Sequence, residues 1–245
     1  MLSLEQGKPI AISGRKLVYL DSTEDGSESE EPLGEIISKN KMVPLLDTQD
    51  RNVTYIAGPS GSGKTYFAVM LIKRFLKATR MPFYLFSRTD YKNDPAFEGM
   101  DVNQIMIDES LVEDPMDIET ELSGGCLVFF DDCGTIQNDK VKKAVDKIMA
   151  DIMEVGRKMR IWVVITNHLV VPNDKKMART ILNEMHSLTV FPKSGSVQQI
   201  SYILKQYFGF NKEQINKIVQ LNSRWVMINK HYPMYVTYEH GIYLV

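Results

Sequence analysis

The sequence predicts an α/β fold in which a mainly parallel sheet carries helices on both faces. Three observations predict it. Short runs such as residues 126–130 and 161–165 are apolar at every position, so both faces of those strands are buried. Segments with apolar residues at helical spacing, residues 64–79 and 139–158, stand between such runs. A glycine-rich turn at residues 58–63 joins one apolar strand directly to the first of these helices.

The elements follow in order. Residues 9–20 alternate apolar positions around Gly14 and Arg15 and read as a small hairpin or edge strand. Residues 21–31 hold six acidic residues, three serines and no basic one, and read as a solvated, protease-sensitive, dispensable linker. Residues 34–50 read as a connection with a short helix. Then come a buried strand at 53–57, the helix at 64–79, a second strand at 82–87 and a third at 102–107. A short helix at 116–122 precedes the central strand at 126–130, the long amphipathic helix at 139–158 and another buried strand at 161–166. A helix at 175–185, a strand at 188–191 and helices at 197–208 and 212–221 lead to two last strands. These lie at 225–229 and 234–238, the second reaching toward Val245. No internal repeat occurs.

Composition sets limits. Of 245 residues, 44% are hydrophobic and 24% charged, enough apolar material for a real core. A net charge of -2 excludes a chain coated in positive charge, so any nucleic-acid contact is local. Cys126 and Cys133 straddle one strand, which suits neither a disulfide nor a zinc site. The first eight residues lack the apolar stretch of a secretory signal, and the longest apolar runs are too short to cross a bilayer. The expectation is a soluble, intracellular protein without membrane insertion.

Gly58 to Thr65 satisfies G-x-x-x-x-G-K-[ST] between a strand and a helix, the context the motif requires. Gly58, Gly61 and Gly63 let the backbone curl so that successive N–H groups face phosphates, with a helix N-terminus behind them. Lys64 then sits between the β- and γ-phosphates, and the Thr65 hydroxyl ligates Mg²⁺. The expected ATP contacts run through Gly58, Pro59, Ser60, Gly61, Ser62, Gly63, Lys64, Thr65 and Tyr66. The fold expected around them is a P-loop NTPase of the RecA or ASCE-like kind over residues 51–245, with residues 1–50 as a small N-terminal extension.

Asp131 and Asp132 end an apolar strand. Buried carboxylates are costly without a cation or hydrogen bonds, so acids at this position point to a metal. Asp131 is assigned to Mg²⁺, and Asp132 to orienting or deprotonating the attacking water, with helix N-capping as its alternative. Thr166 and Asn167 end the 161–166 strand at the same edge and are candidates to bond the water or γ-phosphate, or are an ordinary strand end. Arg157, in the Gly156-Arg157 element before that strand, is either a surface residue or a finger to a neighbouring subunit's γ-phosphate; Arg179 is the second candidate. Arg88 follows the second strand and is equally readable as a surface charge.

With these elements placed, the chain from Val53 onward resembles the genome-packaging ATPases of large eukaryotic DNA viruses and virophages, a branch of the FtsK–HerA superfamily. The resemblance rests on the Gly58–Thr65 loop, residues 83–87, the acid pair followed by Cys133 and Gly134, Gly156-Arg157, and residues 161–167 with Val171 and Pro172. Arg179 with Asn183, residues 188–191 and residues 194–204 also match in kind. The family's glutamine at the end of the sensor strand is replaced by Thr166 or Asn167, and residues 1–50 match nothing in it. The resemblance implies an oligomeric ring, of five or six subunits, that couples ATP hydrolysis to drawing double-stranded DNA into a capsid. It implies capsid protein as a further partner, and the host cytoplasm, a viral factory or the virion as location. Lys140, Lys142, Lys143, Lys175 and Lys176 are candidate DNA-facing charges, or a solvated helix face. The competing readings are a partition or switch-type ATPase acting on protein partners, and a nucleotide kinase.

Overall fold

The computed structural model describes residues 1–21, 34–172 and 174–245. The linker expected at 21–31 lies outside the described residues except for Asp21, which is buried. The Asp21 amide donates to the Met1 carbonyl at 2.8 Å. The chain divides into two compact units, one of residues 1–47 with 186–245, the other of residues 48–185.

The first unit begins with β1 (Leu2–Ser3), β2 (Lys8–Ser13), β3 (Lys16–Leu20), β4 (Glu35–Ile37) and β5 (Met42–Pro44). β1, β3, β2 and β5 form an antiparallel sheet in that order. β2 and β3 are the hairpin expected over 9–20. In place of the short helix expected within 34–50 stand β4 and β5. Met42, Pro44 and Leu46 are buried at every second position, a strand's period, and Pro44 has no N–H to give a helix.

The second unit runs β6 (Val53–Ala57), α1 (Lys64–Thr79), β7 (Phe83–Ser87), β8 (Asn103–Met106), α2 (Ser110–Glu113), α3 (Ile118–Glu121), β9 (Cys126–Phe130), α4 (Asp139–Val155), β10 (Ile161–Asn167) and α5 (Lys175–Glu184). Its strands lie in the order β6, β10, β9, β7, β8, each parallel to its neighbour, as the unbroken apolar runs require. Tyr55, Phe86, Phe129, Phe130 and Trp162 are fully buried, and Phe86 stacks on Phe130 at 4.6 Å between ring centroids. α4 is capped by Asn138, whose side chain accepts from the Lys140 and Val141 amides. It stops three residues short of the expected 158. There Arg51 takes the Ile152 carbonyl through Nη2 at 3.0 Å and the Ile161 carbonyl through Nε at 2.9 Å, joining the helix end to the strand start.

The remaining elements of the first unit are β11 (Ser187–Val190), α6 (Val197–Phe208), α7 (Lys212–Gln220), β12 (Val226–Asn229), β13 (Tyr235–Tyr238) and β14 (Gly241–Leu244). The strands β11, β12, β13, β14 and β4 pair antiparallel in that order. The last strand of the sequence reading is therefore two, folded back at Glu239 and His240. Connections this short permit hairpins and not parallel crossovers. A Cβ at Gly241 would lie 2.3 Å from the Tyr238 hydroxyl, so a larger residue there displaces that ring.

Leu2, Ile10, Ala11, Val18 and Met42 share one buried cluster with Tyr235 and Ile242. Ile10→Ala is accordingly expected to destabilise the protein by about 2–5 kcal/mol, the usual range for a buried large-to-small change. Urea unfolding checks this; a change below about 1 kcal/mol would mean that the site collapses around the deletion or contributes little.

Candidate active site

Parallel register brings several strand ends to one edge. Ala57 lies opposite Asn167, Ile165 opposite Phe130, and Phe130 opposite Phe86. The 58–63 loop, the Asp131-Asp132 pair, the end of β10 and Arg88 consequently share the carboxyl edge of the sheet. The Gly58 amide extends the ladder by donating to the Asn167 carbonyl at 3.0 Å.

The loop is shaped by Gly61 (φ 74°) and Gly63 (φ 94°), left-handed conformations that glycine adopts without a Cβ penalty. No side chain caps the N-terminus of α1, so the first-turn N–H groups of this 16-residue helix face outward as donors for an anion. The Ser62 hydroxyl is buried and has no hydrogen-bond partner among the described residues, which fits a phosphate oxygen. Lys64 is 5% exposed, its Nζ 3.4 Å from the Pro59 carbonyl and 3.6 Å from Asp132 Oδ2. Tyr66, one residue past Thr65, is 73% exposed.

The two acids occupy different settings. Asp131 Oδ1 accepts from Thr166 Oγ1 at 2.7 Å and from Thr65 Oγ1 at 3.2 Å. Burial still pushes its carboxyl above the ordinary range; the Thr166 hydrogen bond opposes that, and the charge of Asp132 adds to it. A hard cation held by Asp131 and Thr65 would relieve that burden. Among the described residues no cluster of three or more His, Cys, Asp or Glu could hold a metal. Two protein oxygens with water and phosphate completing the shell is the arrangement Mg²⁺ favours.

Asp132 has a left-handed backbone (φ 49°, ψ 36°). Its amide donates to Thr166 Oγ1 at 2.9 Å, and its carbonyl accepts from Thr135 Oγ1 at 2.9 Å. Although Asp132 precedes the 3-10 turn Cys133–Thr135, its side chain makes no capping bond. Oδ2 faces Lys64 and, at 3.2 Å, Nε2 of His168; Oδ1 is buried without a partner among the described residues.

The sensor candidates point to different neighbours. Thr166 joins both acids through one hydroxyl. Asn167 packs under Gly134, where a Cβ would come 2.6 Å from Asn167 Oδ1, and that oxygen accepts from the Leu169 amide at 3.3 Å. Arg88 Nη1 donates to the Thr135 carbonyl at 3.0 Å and hydroxyl at 3.1 Å, fastening the loop behind Asp132. Arg157 is not brought to this edge. It is exposed in the turn before β10, whose seven residues at about 3.3 Å each place it roughly 20 Å from the loop. Arg179 is exposed on α5.

Sequence reasoning passed over His168 and Arg51. The position of His168, just beyond a polar-ended strand of the same edge, was the available signal. Arg51 precedes β6 and carried none. Taken together, Lys64, Thr65, Asp131, Asp132 and Thr166 are arranged to receive a polyphosphate with a hard cation and to set a carboxylate beside it.

No family model matches the chain. It is 37% identical over 243 residues to uncharacterized protein V3 of Sputnik virophage, covering 97% of this chain and 95% of that one. The DNA-packaging ATPase B204 of Sulfolobus turreted icosahedral virus has a similar structure, with a TM-score of 0.53 at 13% identity over 78% of this chain and 97% of that one. The cytoplasmic domain of the type VII secretion ATPase EccC of Thermomonospora curvata gives a TM-score of 0.52 at 12% identity, over 95% of this chain and 28% of that one. At these identities the structures establish the P-loop fold, while the virophage relative matches nearly end to end. The chain belongs to one family with that virophage protein, and its fold is that of the P-loop ATPases.

Proposed function

We propose that this ATPase is a DNA-packaging motor, hydrolysing Mg-ATP in a homo-oligomeric ring to translocate double-stranded viral DNA into a capsid. The observation that carries this reading is the division of the chemistry between the two ends of β10. The phosphate loop and both acids lie at one end, while Arg157 stands exposed at the other, far beyond side-chain reach of its own loop. Such an arginine serves a neighbour's phosphates or none. The virophage relative adds the viral setting, and B204 is a DNA-packaging ATPase.

In this reading the loop amides, the α1 N-terminus and Ser62 hold the phosphates, and Lys64 turns from Pro59 and Asp132 onto the β- and γ-phosphates. Tyr66 borders the nucleotide. Thr65 and Asp131 hold Mg²⁺, which when bound neutralises charge on the phosphate oxygens. Asp132 takes a proton from water as the water oxygen bonds to the γ-phosphorus and the bond to the bridging oxygen breaks. Thr166 links the Asp131 carboxylate to the Asp132 amide and so keeps the two acids in register. Asn167, through the Gly134 loop, reports the change to that loop. Capsid protein is the further partner, and the host cytoplasm, a viral factory or the virion is the location. Among the described residues no helix is long and apolar enough to cross a membrane.

DNA is met by local positive charge. Lys140 and Lys143 are exposed on α4, and Lys175 and Lys176 at the start of α5, whereas Lys142 is engaged by Asp146. The test is ATPase rate with and without double-stranded DNA, alongside sizing in ATP. DNA is expected to stimulate turnover of the wild-type ring. Lys175→Ala with Lys176→Ala should weaken DNA binding and make the log–log salt slope shallower by about 2. Turnover indifferent to DNA, in a monomer or dimer, would favour the switch-type reading instead.

A further inference from the structure

The geometry points to His168 as a positioning residue for Asp132, one that holds the carboxylate on the attacking water after Lys64 has left it for the phosphates. This rests on the proposed role of Asp132. Two charged or polar side chains meet Asp132 Oδ2: Lys64 Nζ at 3.6 Å and His168 Nε2 at 3.2 Å. The first belongs to the phosphate loop, and drawing its ammonium onto a nucleotide takes it away from the acid. His168 follows the last residue of β10 and lies outside the phosphate loop, so nucleotide binding makes no claim on it.

The backbone cannot orient this carboxylate alone. The Asp132 amide and carbonyl are fixed by Thr166 and Thr135, which sets where the side chain starts but not its rotation. The left-handed backbone at Asp132 is uncommon for a residue with a Cβ and is kept by those two bonds. With Nε2 carrying its proton, His168 donates to Oδ2 and turns Oδ1 toward the interior. Oδ1 is the oxygen that is buried and lacks a partner among the described residues. His168 therefore fixes the rotation of the carboxylate at Oδ2, the oxygen that also faces the phosphate-loop lysine, and keeps the acid on that side once Lys64 has turned away.

The test is steady-state ATPase kinetics of the full chain with His168→Ala, His168→Leu, His168→Gln, Asp132→Asn and the Asp132→Asn, His168→Ala double variant, each checked by thermal melting. Loss of the donor should lower kcat about tenfold and leave the KM for ATP within about twofold, because the contact acts on the step and not on binding. Glutamine, which keeps an N–H donor, should recover most of that loss. On the Asp132→Asn background His168→Ala should cost nothing further, as expected when one residue acts through the other. An unchanged kcat, a loss confined to KM, or a full second loss in the double variant would overturn the proposal. So would failure of both donorless variants to fold, which would make the ring a packing element. Near-normal turnover by Asp132→Asn sinks the role of Asp132 itself, whereas its inactivity beside an active His168→Ala sinks only the positioning role.

Discussion

Asp132→Asn should bind ATP with nearly wild-type affinity and hydrolyse it at least about 10²-fold more slowly, the loss expected when a general base is removed. Asparagine preserves size and keeps an oxygen for His168, but it cannot take a proton from water. Asp131, the proposed Mg²⁺ ligand, remains, so the response to Mg²⁺ should not change. Lys64→Ala should do the reverse at the first step. In the proposed role its buried ammonium meets two phosphates, and losing a charge-assisted contact of that kind costs about 10–100-fold in affinity. Nucleotide binding by calorimetry and single-turnover hydrolysis separate the two. Brisk turnover by Asp132→Asn would leave Thr166 or a water chain to act in its place.

Arg157→Ala should leave ATP binding intact and remove hydrolysis by on the order of 10³-fold or more, if the arginine completes a neighbour's transition state. The informative design mixes two inactive proteins, Arg157→Ala and Lys64→Ala. At some interfaces the intact Arg157 of the Lys64 variant then faces the intact phosphate loop of the Arg157 variant. Partial recovery of activity, raised by double-stranded DNA and lowered by salt, is the expected result. Tagged pull-down establishes that the subunits have exchanged. If they exchange and activity stays absent for Arg157→Ala, and again for Arg179→Ala in the same design, no arginine of the pair works across subunits and the ring reading loses its mechanistic support.

What could be read from the sequence was local. The Gly58–Thr65 motif occupies one strand-to-helix junction and carries its own geometry in its glycines. Asp131 and Asp132 were visible because two acids end a run that is otherwise buried. Thr166 was visible as a polar strand end, but its contacts to both acids depend on Ile165 lying opposite Phe130, a register that no stretch of sequence prints. The same register separates Thr166 from Asn167, neighbours in sequence whose side chains pack against different loops. His168 escaped attention because a lone histidine after a strand looks like any loop residue until the acid it faces is known. Residues 34–50 were misread where Pro44 argued against a helix. The core shared by Ile10, Val18, Tyr235 and Ile242 joins opposite ends of the chain, and such distant partners leave no periodic mark between them.

That core has a consequence for synthesis. Residues 48–185 are continuous, so the phosphate loop, both acids and the strands that carry them leave the ribosome as a finished set. Residues 1–47 emerge earlier, yet their partners on β13 and β14 are made last. The strands carrying the phosphate loop can therefore assemble while β4 still lacks β14 and the apolar face of the first sheet, with Ile10, Val18 and Met42, is still uncovered. Release of the C-terminus closes that period, and the interval between the two events is when a chaperone has most to do.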